Sequence, residues 1–153
     1  MFGLIRKRDI AGGQFTYGEY LRLVQIFSKD TLSDIEICKE VIECLHNKRV
    51  GLFSAIYLLP YCKEINEALL QWIEREKREC YVPPTSDQIA AGIDRMNKEI
   101  GVIGGVISIA EQFGWSFEHI YAMPYTDVFV INKRNAAVSR YQRREQQIIM
   151  RKR

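Results

Sequence analysis

Between Ile89 and Ala110 the apolar residues Ile89, Ile93, Met96, Ile100, Ile103, Ile107 and Ala110 follow one another at spacings of 4, 3, 4, 3, 4 and 3. A backbone with 3.6 residues per turn gathers such positions into one stripe, whereas a strand would scatter them over two faces. The spacing therefore predicts a helix, starting at Thr85 or Ser86 and closing near Phe113. Val82-Pro83-Pro84 immediately precedes it, and two consecutive prolines impose an extended connection. Gly101, Gly104 and Gly105 fall inside the pattern, each costing about 1 kcal/mol in helix propensity. That cost is tolerable where another helix packs closely; otherwise the helix kinks near Gly104-Gly105. Because the seam covers only about three heptads, it reads as a core helix and the central element of the fold, in preference to an intermolecular coiled coil.

The flanking sequence carries the same period. Tyr17, Tyr20, Leu21, Val24 and Phe27 share one face of a first helix over 17–28. Ser33 followed by Glu36 is a capping box for a second, whose face is Ile35, Cys38, Ile42 and Leu45 and whose end is Asn47. Leu52–Pro60 is apolar and fits a short buried helix or strand. A third long helix is expected over 62–79 with Ile65, Leu69, Trp72 and Ile73 inward, and a last one from Pro124-Tyr125 to about Met150. The expected fold is all-α, a single-domain bundle of five to six helices with a basic C-terminal helix. Residues 1–13, closed by Gly12-Gly13, read as an arm or an isolated turn. Residues 14–131 form the helical domain, its halves joined at 82–84, and residues 132–153 the basic helix or tail.

The 153 residues suit one domain with a hydrophobic core, and 47% hydrophobic against 27% charged residues argues against global disorder. The longest apolar run, Ile100–Ala110, is about half of what a membrane span needs. Met1–Arg8 has charge without the apolar run of a secretory signal, so no membrane association is expected. Cys38, Cys44, Cys62 and Cys80 lie in apolar-periodic surroundings with no CxxC pair, and Cys38, Cys44 and His46 are wrongly spaced for a zinc knuckle. Unpaired cysteines fit a reducing cytoplasm.

Charge is uneven. Residues 132–153 hold eight Lys/Arg against Glu145 alone, leaving 14 basic and 18 acidic residues in the first 131. Arg140, Arg143 and Arg144 fall within about one turn with Tyr141 interleaved. Three readings stay open for this end: a solvated helix, a contact with nucleic-acid phosphates, or a docking segment for an acidic protein. The stripe Val138, Tyr141, Ile148 and Ile149, which needs burial, leans toward the third.

Catalytic constellations are lacking. Gly101-x-x-Gly104-Gly105 lies in an apolar helix and not after a strand, Asp87 and Asp94 sit on a solvent side, and His46 and His119 sit at helix ends. A non-enzymatic protein without cofactor or metal is expected. Aromatic residues are numerous: Trp72 reads as core, while Trp115, Phe117, Tyr121 and Tyr125 are candidates for partner binding, with Arg140, Tyr141, Arg143 and Arg144.

Residues 110–129, AEQFGWSFEHIYAMPYTDVF, compress a helix stop at Phe113-Gly114, a new turn capped by Ser116 with Glu118 near its positive end, and a restart at Pro124. This segment resembles the tail assembly chaperones among small helical phage morphogenesis proteins, and residues 15–27, FTYGEYLRLVQIF, echo the opening of their first helix. The resemblance covers about a third of the chain and carries no catalytic residue. It implies a protein that binds structural tail polypeptides, the tape-measure protein or tail and neck subunits, in the host cytoplasm during assembly. Retention in the virion as a head–tail or tail component is a related reading, and association with further copies of itself stays open. The basic end departs from the neutral or acidic ending of such chaperones. The alternative from another class is a small nucleic-acid-binding protein using that end, although no helix-turn-helix with a polar recognition helix is evident. A helical enzyme would need a pocket that gathers the scattered His, Cys and acidic residues.

Overall fold

The computed structural model describes residues 5–101 and 103–151, and among them every regular element is helical. In chain order they are α1 (Tyr17–Phe27), α2 (Asp34–His46), α3 (Leu52–Glu79), α4 (Ser86–Ala90), α5 (Ile93–Ile100), α6 (Ile103–Phe113), α7 (Phe117–Ala122) and α8 (Tyr125–Arg151). The all-α class therefore holds, but the described residues form eight helices and not five or six.

Local chemistry explains most boundaries. Thr16 and Glu19 form a reciprocal capping box at the start of α1, and Ser33 and Glu36 form another at α2. Asn47 ends α2 in the left-handed conformation that its short polar side chain tolerates. The Ser116 hydroxyl accepts a hydrogen bond from the His119 amide at 3.2 Å and so opens α7. Residues 52–60 are neither a strand nor a separate helix. They form the first two turns of α3 and beyond, with Pro60 in its interior. The Pro60 ring removes one ladder hydrogen bond, and the apolar residues on both sides of it continue the helix regardless.

The core gathers around the start of α8. Tyr125 is fully buried, its ring 4.3 Å from Tyr20, 4.8 Å from Phe15 and 5.1 Å from Trp72 between centroids. Leu23, Val41, Ile42, Ile65 and Leu69 extend this core through α1, α2 and α3, and Ile120 seats α7 on it. Such close aromatic pairs add about 0.5–1.5 kcal/mol each beyond their buried area.

The 86–113 run is not the central element. It breaks at Gly92 and Gly101, whose φ angles of 84° and 62° lie in a region closed to most side chains. Neither α4 nor α5 contributes a buried residue, and in α6 the buried positions are Val106 and Ile109, off the predicted stripe. Close packing does occur at Gly105, where a Cβ would stand 2.9 Å from the Tyr17 hydroxyl, and α6 runs without interruption through Gly104-Gly105. The break falls at Gly101, where nothing stands within 4 Å of the position a Cβ would take.

Residues 5–13 behave as a pinned turn and not as a loose arm; the expectation for residues 1–4 lies outside the described residues. Ile10 is buried, its carbonyl accepts from the Trp72 indole at 3.0 Å, and Arg8 pairs with Glu19 at 2.7 Å. The expected boundary at 131/132 falls within α8, which is continuous.

Candidate functional site

Three surfaces could meet a partner. At the basic end, α8 continues for 15 residues beyond Ala136, its last buried residue, about 22 Å at 1.5 Å per residue. The arginines singled out from sequence divide in two here. Arg140 donates to the carbonyls of Glu79 and Tyr81 at 2.9 and 3.1 Å. Arg143 donates to the Pro83 carbonyl and to Gln88 Oε1. Both therefore hold the proline connection against α8, satisfying carbonyls that prolines and a helix end leave without internal partners. Lys133 completes this clamp by pairing with Glu79 at 2.8 Å. Its hydrogen bond and that of Arg75 hold the Glu79 carboxyl down at about 2. Arg144 and Tyr141 stay exposed, and among the described residues Arg144 has no ion pair.

At the α6–α7 corner, Gly114 turns the chain with a φ of 67° and brings Phe113 and Trp115 into a stack at 4.6 Å. Trp115 meets the His119 ring edge-on at 5.2 Å, and Phe117 projects outward, 43% exposed. Trp115 and Tyr121 are half-buried. Tyr125 does not belong to this corner. As the first residue of α8 it faces inward between α1 and α3, so the partner-binding role expected of it is corrected to a core role.

The third surface is one that sequence reasoning placed in the core. Phe53 and Tyr57 are 82% and 84% exposed, and Leu52 and Ile56 beside them are about half exposed. Ala55, Leu58 and Leu59 take the inward side of the same turns. A helix segment apolar on every side has no periodicity to mark which face is covered, so no sequence signal singles out the ridge. A groove of about 530 Å³ opens beside α3, lined by Phe27, Ile37, Leu59, Pro60 and Lys63 among others.

Chemically reactive groups are placed less favourably. Tyr20 donates to Glu76 Oε2 at 2.5 Å beneath the aromatic core, and burial pushes both the Glu76 carboxyl and the Tyr20 phenol up. Cys38 and Cys62 lie with sulfurs 2.9 Å apart between α2 and α3, and burial holds both thiols above their ordinary range, where little thiolate forms. No cluster of three or more His, Cys, Asp or Glu with metal-binding geometry occurs among the described residues, and no described helix is long and apolar enough to cross a membrane. Against known proteins, no family model, no curated protein and no solved structure matches this chain.

Proposed function

We propose that this chain is a non-enzymatic morphogenesis protein, similar to phage tail assembly chaperones, that holds apolar stretches of structural tail polypeptides during assembly in the host cytoplasm. The observation that carries this reading is the ridge of Phe53 and Tyr57, both more than 80% exposed near the start of α3. Burying one such side chain against a partner is worth about 1.5–3 kcal/mol. The aromatic corner of Trp115 and Phe117 offers a second contact of the same kind. Tape-measure, tail and neck polypeptides are the proposed partners, and a lasting place in the particle is the variant of this reading in which the contact survives assembly.

Co-expression with a tail tape-measure polypeptide tests the proposal. The wild-type chain should raise the soluble fraction of that polypeptide and co-purify with it after nuclease treatment. Phe53→Ser with Tyr57→Ser should lose both effects while unfolding at the wild-type temperature, since both side chains already face water. Unchanged solubility of the tape-measure polypeptide with the wild-type chain present would end the chaperone reading.

The nucleic-acid reading draws on Arg144 and Arg151, exposed on the far part of α8. It is weakened by the commitment of Arg140 and Arg143 to backbone carbonyls of the same chain. Capture of nucleic acid alone, lost with modest salt or with Arg144→Glu and Arg151→Glu, would favour it.

A further inference from the structure

The four free cysteines, spread over residues 38–80, have unlike surroundings. Cys44 and Cys80 meet backbone carbonyls, those of Glu19 and Phe129, at 4.0 and 3.9 Å. Cys38 on α2 and Cys62 on α3 instead meet each other between the two helices, sulfur to sulfur at 2.9 Å. A disulfide bond is about 2.05 Å long, so these sulfurs stand within about 1 Å of the bonded separation. The two differ in access. Cys38 is fully buried, its sulfur 3.4 Å from the Ala55 carbonyl, whereas Cys62 forms part of the wall of the groove beside α3.

We propose that Cys38 and Cys62 are an oxidisable pair, closed into a disulfide that staples α2 to α3 by a small hydroperoxide entering through the groove. With hydrogen peroxide, the Cys62 sulfur attacks one oxygen and the O–O bond breaks. Cys62 becomes a sulfenic acid, and the other oxygen leaves as water with the thiol proton. The Cys38 sulfur then attacks the Cys62 sulfur, the S–O bond breaks, and the hydroxyl leaves as a second water with the Cys38 proton. Two thiols and one peroxide thus give one disulfide and two waters, the two electrons passing from sulfur to the peroxide oxygens. The first step is the slow one, because burial keeps both thiols protonated. The second is intramolecular between sulfurs already adjacent, so it outruns further oxidation of the sulfenic acid. Slow entry and fast closure describe a lasting staple and not a rapid sensor. The bond joins positions 24 apart in sequence and so restricts the unfolded chain more than the folded one. Phe53 and Tyr57 take no part in it, and the pair stands whatever the ridge of α3 binds.

Peroxide treatment of the folded chain, followed by alkylation of the remaining thiols in denaturant and mass mapping of peptides, tests the proposal. The expected product is one linked pair of peptides carrying Cys38 and Cys62, lighter by two hydrogens than their sum and separated by dithiothreitol. The unfolding temperature, read without reductant, should rise by about 5–10 °C on oxidation. In Cys38→Ala that rise should vanish and dimedone should trap a sulfenic acid at Cys62, while Cys62→Ala should keep Cys38 as a thiol. A wild-type chain whose Cys38 and Cys62 are both still alkylated after Cys80 has been oxidised overturns the pair. A bridge that includes Cys44 or Cys80, or one between two chains, overturns it as well. Sulfenic acid at Cys38 in Cys62→Ala, with none at Cys62 in Cys38→Ala, overturns entry through the groove.

Discussion

The stretch around Tyr125 and the stretch around Met96 carry apolar residues at equally regular helical spacing, yet one is the centre of the core and the other lies open. Tyr125, Val128 and Phe129 open a helix that has α1 and α3 against it. Ile93, Met96 and Ile100 belong to α5, which among the described residues packs chiefly on its neighbours in sequence, α4 and α6. Periodicity specifies that a face wants burial and says nothing about what is available to bury it. The difference comes from the connections. Around Tyr125 the Pro124 restart is held by paired backbone groups, with the Tyr125 amide donating to the Phe15 carbonyl at 3.0 Å. Around Met96 the flanking residues are Gly92 and Gly101, both at positive φ, with nothing within 4 Å of where a Cβ would stand.

Truncation separates the two stretches most sharply. Tyr125→Ala should cost about 3–5 kcal/mol in urea unfolding, the usual loss for a buried aromatic in a packed core. Met96→Ala, measured on dilute protein, should stay within about 0.5 kcal/mol. Similar losses at the two sites would erase the distinction.

A smaller effect is expected at the clamp between the two stretches. Arg140→Ala removes two charge-assisted hydrogen bonds to the carbonyls at 79 and 81, and with partial exposure it should cost about 1 kcal/mol. Hydrogen exchange over residues 80–88 should quicken with it. Arg144→Ala, only one turn further along the helix, should change neither quantity.

The mildest test is a pH series on two glutamates of α3. Glu79 is held at about 2 by Lys133 and Arg75, below its unfolded value, so its contribution is present above pH 4.5 and fades as the pH falls toward 2. Glu76 is raised by burial, so its contribution is complete below pH 4.5 and fades as the pH climbs through its raised value. Glu79→Gln should flatten the acid limb of the stability curve, and Glu76→Gln should flatten the limb above it. Both variants altering the same limb would contradict the two environments.

Much of the local structure was legible in the residues. The Ser33–Glu36 box, the Asn47 stop, the Gly114 turn and the Ser116 cap are each set by a side chain and a backbone group a few positions apart. What could not be read is of longer range. Pro60 argued for an interruption, and the helix runs through it because buried residues on either side, Ala55 and Tyr61 among them, are fixed by α1 and α2. Arg140 and Arg143 looked like free cations because their acceptors, carbonyls about 60 residues away, carry no sequence signature. Tyr125 and Phe117 had similar claims to a partner surface, and only the direction of the helix they begin decides that one is core and the other exposed.

The span that carries Met96 is moored at both ends. Arg143 fastens its beginning through Pro83 and Gln88, and a reciprocal amide pair between Gln112 and Asn135, at 2.7 and 3.2 Å, fastens its far end to the same helix. A segment tied this way behaves like a bridge between two piers on α8. Two such ties restrict how far the span can move from the body, so much of the freedom that an unanchored segment would surrender on docking is already gone. The chain thus keeps an apolar face in the open without keeping it loose.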